Sequence, residues 1–327
     1  MKTSVLDVIV CPACKSPLTL SVDAKEGLEI TEGRLTCQGC RESYPITGGV
    51  PRFVPKDAYA ESFGYQWNWF RTVQLDSINQ RTESEEALQG ATGWRDDEFS
   101  GRRLLDAGVG AGRFADRAAA KGAEVFGVDL TMAVDAAFRN IGTRANVHLF
   151  QADIFALPFR ENTFDLAYSI GGLHHTPDPQ QAFSHVASTV KHGGRLAVYL
   201  YARYGPSHKA SDAIRVVTTR LPLKVMWGLS AIAIPLYYLY RVPVLGKAFQ
   251  LLCPISMERD ARWRWLDTFD WYTPTYQFKY LYPEIFRWFR ENGFRDIEIF
   301  DGPIRMSGKK LADSGADVRA FPKLVAS

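Results

Sequence analysis

A short apolar strand that runs into alternating glycines constrains the fold of this chain more than any other feature. Residues 103–105 are Arg-Leu-Leu, Asp106 follows them, and helix-forming residues then continue to Gly122, which is placed to end a helix. The turn between strand and helix contains Gly108, Gly110 and Gly112. This order predicts an α/β fold with a parallel sheet. Without a Cβ, the glycines let a ligand approach the backbone N–H groups and the helix N-terminus.

The spacing of the glycines separates this turn from the dinucleotide fingerprint, which would need glycine where the chain has Arg113. A second acid, Asp129, stands 23 residues after Asp106, where a carboxylate at the tip of the second strand accepts hydrogen bonds from ribose hydroxyls. Residues 105–112 resemble the first motif of class I S-adenosylmethionine-dependent methyltransferases. The resemblance implies a Rossmann-like, seven-stranded sheet and cofactor contacts from Asp106, Gly108, Gly110, Gly112, Asp129 and Leu130.

Composition sets the size of the core and weakens some functional classes. The 327 residues are 46% hydrophobic, which is enough for one core and a small accessory domain. A net charge of +3 does not demand a polyanionic partner. The apolar run within residues 1–7 is too short for a signal peptide, and we expect a cytoplasmic protein.

Two C-x2-C pairs near the N-terminus predict a metal site. Four thiolates on two such turns can bind Zn²⁺ tetrahedrally, whereas a redox C-x-x-C would not need a second copy. The ligands would be Cys11, Cys14, Cys37 and Cys40. Residues 44–53 resemble the zinc-ribbon family known as activators of tRNA and protein methyltransferases, and this resemblance covers about the first 55 residues. It predicts a zinc ribbon over 1–55 with structural Zn²⁺.

Residues 56–100 form a connector that contains the aromatic stretch 63–70. Its aromatic side chains either pack on the catalytic domain or close over the methionine end of the cofactor. The second interpretation adds Tyr65, Gln66 and Trp67 to the cofactor site.

Two later strands extend the predicted cofactor site. Residues 147–150 form the third strand, and the resemblance implies that Asp153 binds the adenine amino group while Ile154 packs on the ring. Capping of a helix is the alternative role for Asp153. Residues 163–169 form the fourth strand, whose carboxyl end brings Ser169 to the cofactor, because ligands bind at the carboxyl ends of parallel strands.

Two histidines follow the fourth strand at the place where an acceptor must lie. His174 and His175 stand between paired glycines and a helix that Asp178 caps. Histidine suits proton removal near neutral pH, which makes both residues candidate general bases. The alternative is that they only pack or hydrogen-bond the backbone.

The C-terminal half predicts the end of the sheet and a long insertion. Residues 191–194 would end the helix, and residues 195–200 would form the fifth strand. The helix over 282–293 and strands over 294–300 and 304–309 complete the fold. The predicted segments are thus a Rossmann-like core over 101–202, a helical lid over 203–280 and a completing helix with two strands over 281–327.

The lid bears on the acceptor. From 203 to 252 seven Lys or Arg face one acid, Asp212. The uncharged run 225–240 would span roughly 24 Å as a helix, short of the roughly 30 Å hydrocarbon core, and Pro235 interrupts it, so a transmembrane span is not predicted. Either lid helices pack on the sheet, or a basic apolar surface meets a membrane or a lipid-like or anionic acceptor. Tyr272 and Tyr276 are candidate acceptor contacts.

These features predict an S-adenosylmethionine-dependent methyltransferase of a biosynthetic pathway, with O-methylation of a small-molecule or lipid-like acceptor. An RNA methyltransferase is the nearest alternative, but acids offset the cations of the ribbon, and residues 169–172 lack the Asn/Asp-Pro-Pro-aromatic tetrad of exocyclic-amine methylases. A cofactor-binding partner that activates another methyltransferase is the non-enzymatic alternative. The oligomeric state stays open.

Overall fold

The computed structural model describes residues 1–54, 61–204 and 207–312. The predicted boundary at residues 55–56 and the segment 313–327 of the predicted C-terminal part lie outside the described residues.

A small antiparallel sheet forms the N-terminal unit. After a 3-10 turn over Thr3–Asp7, its strands pair in chain order as β1 (Leu18–Glu26), β2 (Glu29–Cys37), β3 (Ser43–Thr47) and β4 (Val50–Pro51). The two cysteine turns flank β1 and β2, so the hairpin brings both C-x2-C pairs to one end of the sheet.

Three helices of the connector precede the large sheet, and α/β units then alternate. The helices are α1 (Glu61–Trp69), α2 (Asp76–Asn79) and α3 (Glu83–Thr92). The alternating elements are β5 (Arg103–Ala107), α4 (Arg113–Ala120), β6 (Glu124–Asp129), α5 (Ala133–Ile141), β7 (Val147–Gln151), β8 (Phe164–Ile170), α6 (Pro179–Thr189) and β9 (Val190–Tyr199). Strands β5 to β8 are almost wholly buried, which explains their near-continuous apolar sequences.

Five helices follow β9, and a helix with two strands closes the fold. They are α7 (Ser207–Thr218), α8 (Leu223–Ala231), α9 (Ala233–Tyr240), α10 (Leu245–Leu252), α11 (Ala261–Tyr272), α12 (Tyr282–Glu291), β10 (Phe294–Phe300) and β11 (Arg305–Lys310). The large sheet has seven strands in the order β10-β11-β9-β8-β5-β6-β7. Strand β11 runs in the direction opposite to the other six, so the expected seven-stranded α/β sheet is confirmed.

The N-terminal unit packs on the large sheet at its β7 edge and shares a core with it. One apolar cluster contains Ile9 and Ile46 from the small unit together with Phe126, Phe150 and Phe159 from the large domain. Backbone bridges join the two parts at Ile9–Phe159 and Arg52–Gln151. Polar contacts add to them: Arg52 pairs with Asp135 at 2.5 Å, Lys15 Nζ donates to Leu157 O at 2.7 Å, and Lys2 Nζ donates to Gly142 O and Val147 O.

The expected lid is helical, and the predicted pair of helices in the uncharged run corresponds to α8 and α9, which are separated at Ile232. They pack on α11, and the rings of Trp227 and Trp265 lie 4.6 Å apart between α8 and α11. Among the described residues, Leu223–Tyr240 is the one stretch that is long and apolar enough to cross a bilayer, by length and composition only.

The predicted end of α6 was wrong by several residues. We expected residues 191–194 to end the helix, but α6 stops at Thr189 and β9 begins at Val190, which pairs with Phe164. An irregularity between Phe164 and Leu166 absorbs the extra residues, with Gly193 at φ +78°. The two glycines therefore belong to a bulged strand, which their sequence does not distinguish from a helix stop.

Candidate methyl-donor and acceptor site

A cavity of about 1060 Å³ lies at the carboxyl ends of β5, β6 and β8 and extends beneath the lid. This volume is at the upper end of the roughly 300–1,000 Å³ of ligand cavities, so it has room for two ligands of moderate size. Eight of the predicted site residues line it: Gln66, Trp67, Gly108, Gly110, Asp129, Leu130, Ile154 and His175.

The glycine turn has the backbone shape that only glycine adopts readily. Gly108, Gly110 and Gly112 have φ values of +97°, +53° and +89°. A Cβ on Gly112, which lies outside the cavity lining, would approach Ile141 Cδ1 to 2.8 Å, so this glycine is needed for packing at the start of α4. Gly108 and Gly110 instead face the cavity, where they leave room for a ligand.

Asp129 holds the turn and faces the cavity. Its Oδ2 accepts a hydrogen bond from the Gly110 N–H at 3.0 Å, and its Oδ1 accepts from the N–H and the hydroxyl of Thr131. Burial raises the pKa of Asp129 above its usual range, while these hydrogen bonds oppose the shift. The carboxylate is therefore fixed in position and keeps lone pairs available for a ligand.

Asp106 lies behind the turn and not in the lining of the cavity. Burial raises its pKa to about 7, and Asp129 adds to that shift. The Tyr168 hydroxyl donates to Asp106 Oδ2 at 2.9 Å. The geometry gives Asp106 a supporting contact to β8.

The connector contributes two of its three predicted residues to the cavity. Trp67 lies over the glycine turn, within 3.4 Å of a Cβ built on Gly110. Gln66 is fully buried; its Nε2 donates to Asp270 at 2.8 Å, and its Oε1 has no partner among the described residues. Tyr65 lies outside the cavity lining, and its ring packs against Trp227 of the lid. For this residue the contact agrees with a packing role and not with a place in the cavity.

Arg113 adds a cation to this end of the cavity, in a role that sequence reasoning did not assign. Its Nη1 donates to Gln74 Oε1 at 2.7 Å, while its buried Nε has no partner among the described residues. The guanidinium lies over Phe114 and Trp263, and burial lowers its pKa to about 10, which leaves it charged at neutral pH.

Asp153 and Ser169 bond within the protein. Asp153 Oδ1 accepts a hydrogen bond from the Phe155 N–H at 3.0 Å. This oxygen therefore caps the 3-10 turn Ile154–Ala156, which is the alternative role given above. The Ser169 hydroxyl donates to Ala107 O at 2.6 Å. Both residues lie outside the cavity lining, whereas Ile154 lies within it.

The two histidines occupy different environments. His175 lines the cavity, and its Nδ1 lies 2.9 Å from Tyr276 O. A carbonyl only accepts hydrogen bonds, so Nδ1 carries the proton and Nε2 keeps a lone pair. Burial lowers the pKa of His175, which keeps the ring neutral near pH 7.

His174 lies behind His175 and outside the cavity lining. It is fully buried, with its ring centroid 4.1 Å from that of His175 and 4.0 Å from that of Tyr201. Burial lowers its pKa well below the usual range, and neither ring nitrogen has a partner among the described residues. This histidine packs against the rings of His175 and Tyr201.

The lid supplies two acids that were missed at the sequence level. Asp267 and Asp270 lie one turn apart on α11 and both line the cavity. Burial raises the pKa of Asp267 to about 7, and the Tyr201 hydroxyl donates to Asp270 Oδ2 at 3.3 Å. Their i, i+3 spacing on an aromatic helix was the available signal.

The two predicted acceptor tyrosines lie outside the lining. The Tyr272 hydroxyl donates to Pro254 O at 2.6 Å, and the Tyr276 ring stacks with Phe278. Tyr276 acts on the site through its carbonyl, which holds His175.

The four N-terminal cysteines form a cluster suited to a metal ion. Their sulfur atoms all lie within 4.8 Å of one another, with Cys11–Cys40 at 3.6 Å and Cys14–Cys37 at 3.4 Å. A tetrahedral Zn²⁺ with bonds of about 2.3 Å separates its ligands by about 3.8 Å, so the arrangement fits this ion. The N–H groups of Gly39 and Cys40 point at Cys37 Sγ, as expected for a thiolate acceptor.

Comparisons with known proteins match two parts of the chain. Residues 105–198 match the family model described as a methyltransferase domain, and residues 2–49 match the model described as a Trm112p-like protein. The ubiquinone/menaquinone biosynthesis C-methyltransferase UbiE of Cronobacter sakazakii is 40% identical over 77 residues, which are 23% of this chain and 31% of the relative. The methyltransferase GfsG of Streptomyces halstedii is 32% identical over 128 residues, 37% of this chain and 46% of the relative.

Among solved structures, the complex between the Haloferax volcanii Trm112 methyltransferase activator and a putative methyltransferase is similar at 12% identity and a TM-score of 0.45. The match covers 78% of this chain and 100% of that one. The chain spans less than half of the length of the two curated relatives.

Proposed function

We propose that this chain, in which a methyltransferase domain follows a Trm112p-like domain, transfers the methyl group of S-adenosylmethionine to a small or lipid-like acceptor. The observation that carries the proposal is the single cavity that joins the glycine turn and Asp129 to His175 and the lid. The proposed division into a ribbon over 1–55, a connector over 56–100, a core over 101–202, a lid over 203–280 and a completing part over 281–327 follows the sequence prediction.

The cavity has groups for each part of the donor. Asp129 can accept from the ribose hydroxyls, and Ile154 offers an apolar contact to the adenine ring. At the other end, Arg113 Nε and Gln66 Oε1 have no partner within the described part of the chain; the first is a donor for a carboxylate, and the second is an acceptor for an ammonium group. A buried donor and a buried acceptor without partners suit the two charged groups of an amino acid.

His175 is the proposed general base. The bond to Tyr276 O fixes the tautomer that aims a free Nε2 lone pair, and the low pKa keeps the ring neutral. When bound, the donor supplies an electrophilic methyl on a sulfonium sulfur. The acceptor oxygen forms the new bond to carbon, the electrons of the S–C bond stay on sulfur, and the acceptor proton goes to Nε2. Alignment within the cavity contributes more than the base, whose removal costs roughly 10²–10⁴-fold.

The walls of the acceptor end favour a small molecule with apolar parts. Phe63, Tyr201, Trp271 and Ile255 line the cavity around the polar groups. The UbiE relatives are C-methyltransferases of ubiquinone/menaquinone biosynthesis by their printed name, and this supports a lipid-soluble acceptor. We propose oxygen as the methylated atom because a positioned neutral imidazole suits removal of a hydroxyl proton.

The proposed zinc ion has a structural role. All four cysteine sulfurs converge on one point within the small unit, which leaves no sulfur for the acceptor cavity. Zn²⁺ bound by four thiolates is closed to other ligands.

The experiment is to incubate the full chain with methyl-labelled S-adenosylmethionine and an extract of its source cells, and then to separate lipid, small-molecule and RNA fractions. We expect label in the lipid or small-molecule fraction. In the His175→Gln variant we expect the rate to fall by roughly 10²–10⁴-fold with unchanged donor affinity. The matched control is His192→Gln, because His192 Nδ1 also pairs with a backbone carbonyl at 2.9 Å but lies on the surface.

Label in RNA alone would contradict the proposed acceptor class. Donor binding without transfer to any fraction would instead favour a partner that activates another methyltransferase. Equal rates for His175→Gln and His192→Gln would remove the proposed base while leaving the donor site intact.

A further inference from the structure

Apart from the exposed Lys224 near its start, the stretch Leu223–Tyr240 in the lid is almost wholly apolar yet largely exposed. Only 22% of it is buried. The buried positions Met226, Ser230, Ala233 and Tyr240 recur at helical spacing. In a water-facing helix the remaining positions would be polar, but here they include Val225, Leu229, Ile232, Tyr238 and Leu239, all exposed. A helix that is hydrophobic all round needs protein or lipid on its outer side as well.

The exposed apolar residues extend beyond this stretch. Of the 23 exposed large hydrophobic side chains in the described residues, 13 lie between residues 216 and 257, on α7 to α10 and the segment after them. The largest exposures among them are Val244 at 81%, Tyr238 at 72% and Leu252 at 71%. We call these 13 side chains the outer lid surface: Val216, Val217, Val225, Leu229, Ile232, Tyr238, Leu239, Val242, Val244, Leu245, Leu251, Leu252 and Met257. Water-soluble monomers rarely leave so much apolar surface without a partner.

The charge of the outer lid surface decides between a second copy of this chain and a lipid bilayer as its partner. Residues 213–257 contain no Asp or Glu, and their exposed cations are Arg220, Lys224, Arg241 and Lys247. The one acid earlier in the lid, Asp212, pairs with Lys279. A second copy docked through the same surface would bring like charges together. An anionic lipid bilayer complements both the cations and the apolar side chains.

We propose that the outer lid surface docks on an anionic lipid bilayer, with the helices lying in the interface. The helices do not span it, because their inner side packs on α11. Interfacial helices bury their apolar side by roughly 5–10 Å.

The same helices reach the cavity. Gln250 of α10 and the following residues Pro254, Ile255 and Met257 line it. The docked surface therefore continues into the wall of the acceptor end. Because the outer lid surface continues into the wall of the cavity, a lipid-soluble acceptor would have a route from the bilayer to His175. This step rests on the proposed function.

The test is flotation of the full chain with phosphatidylcholine vesicles, with and without phosphatidylglycerol. It contains no methyl donor, so its failure is distinguishable from failure of the proposed methyl transfer. We expect binding to the anionic vesicles, with strong weakening at 1 M salt, where the Debye length is about 3 Å. Arg241→Glu/Lys247→Glu should weaken binding by about thirtyfold or more, since each cation near an anionic surface contributes roughly a factor of five.

Variants with fewer exposed apolar side chains measure the hydrophobic contribution to vesicle binding apart from the electrostatic one. Leu251→Ser/Leu252→Ser should lower partitioning by about tenfold. Its matched control is Val22→Ser/Leu28→Ser on the ribbon, where the exposures of 46% and 85% resemble the 48% and 71% of the lid pair. For the charge variant the control is Lys25→Glu/Arg34→Glu, two exposed cations of the ribbon. Both controls should bind like the unchanged chain.

An environment-sensitive dye on the exposed Cys253 reports whether the lid meets the lipid, with Cys253→Ser as the background. A blue shift with anionic vesicles supports the proposal. Absence of vesicle binding, equal losses in the lid and ribbon variants, or binding without a blue shift would each overturn it. Self-association in sedimentation velocity that Leu251→Ser/Leu252→Ser abolishes, without vesicle binding, would assign the surface to a second copy and overturn it as well.

Discussion

The N-terminal ribbon and the lid are both additions to the same sheet, but they treat their apolar residues in opposite ways. The ribbon places Ile9 and Ile46 in a core that it shares with the large domain, and it fixes its position with Arg52, Lys2 and Lys15. In the lid, α8 and α9 pack their inner side on α11 and leave the outer lid surface exposed. The ribbon is thus a completed structural unit, whereas the lid has the surface of an element that works against a partner.

The contact of the ribbon also reaches the carboxyl end of β7, next to the cavity. Phe53 N–H donates to Gln151 O at 2.8 Å, and Gln151 ends β7 two residues before Asp153. The Gln151 side chain donates to Leu130 O, which lies in the cavity lining. Through these bonds the ribbon supports the tips of β6 and β7, while residues of the lid line another part of the cavity.

The largest effect should come from removing the metal. Structural zinc contributes roughly 10–16 kcal/mol of apparent binding free energy, which is comparable to the stability of a whole domain. Because the ribbon shares the core of the large domain, Cys37→Ser or a chelator should lower the melting temperature of the full chain, measured by circular dichroism. Cys253→Ser, which changes an exposed cysteine outside the cluster, should melt like the unchanged chain. An unchanged melting curve after chelation would remove the structural role of the metal.

A pair of apolar truncations compares the two regions directly. Ile9→Ala in the ribbon should lower the free energy of unfolding by about 2–5 kcal/mol, because Ile9 is 1% exposed and leaves a cavity in the shared core. Leu252→Ala in the lid should change it by less than about 0.5 kcal/mol. Urea denaturation of both variants measures the difference. Equal losses would mean that the outer lid surface is packed in solution.

The buried acid of the lid should make stability depend on pH. Burial raises the pKa of Asp267 from 3.8 to about 7, so between these values the folded chain holds a proton that the unfolded chain has lost. The stability that this proton provides is present below about pH 4 and is lost as the pH rises towards 7. Relative to Asp267→Asn, the unchanged chain should therefore lose about 2–3 kcal/mol between pH 5 and pH 7.

Urea denaturation at several pH values measures this difference. Asp212→Asn, which removes an exposed carboxylate of the same lid, serves as the control. A constant gap between Asp267→Asn and the unchanged chain across this range would show that Asp267 is ionised in the folded state.

Much of the sheet could be predicted because its signals are local. The apolar strands, the glycine turn and the Asp178 cap each encode their own geometry within about ten residues, and the cap is present, with Asp178 Oδ1 accepting from the Gln181 N–H. The four cysteines could be assigned for the same reason, since ligand spacing is itself the signal. The start of β9 could not be predicted from local sequence, because its bulge depends on the pairing of Val190 with Phe164 in the neighbouring strand.

The site was predicted less completely because it depends on contacts between distant segments. The sequence predicted both histidines as site residues, but His175 is distinguished from His174 by the cavity that it lines and by the carbonyl of Tyr276, 101 residues away. Asp267 and Asp270 belong to the cavity because α11 folds back over the glycine turn, and no local pattern indicates that path. We expected the lid helices to pack on the sheet, but α8 and α9 pack on α11. This packing also depends on the path of α11, which no local pattern indicates.

The most direct test of the account is calorimetric titration of the full chain with S-adenosylmethionine. We predict one site per chain, an affinity at least about a hundredfold lower in Asp129→Asn because two charge-assisted hydrogen bonds to the ribose are weakened, and unchanged affinity in His175→Gln. Asp165→Asn is the matched control, since Asp165 also accepts from a backbone N–H, that of Arg103, but lies outside the cavity lining. Equal affinity in Asp129→Asn and Asp165→Asn would contradict the assignment of the glycine-turn cavity as the methyl-donor site.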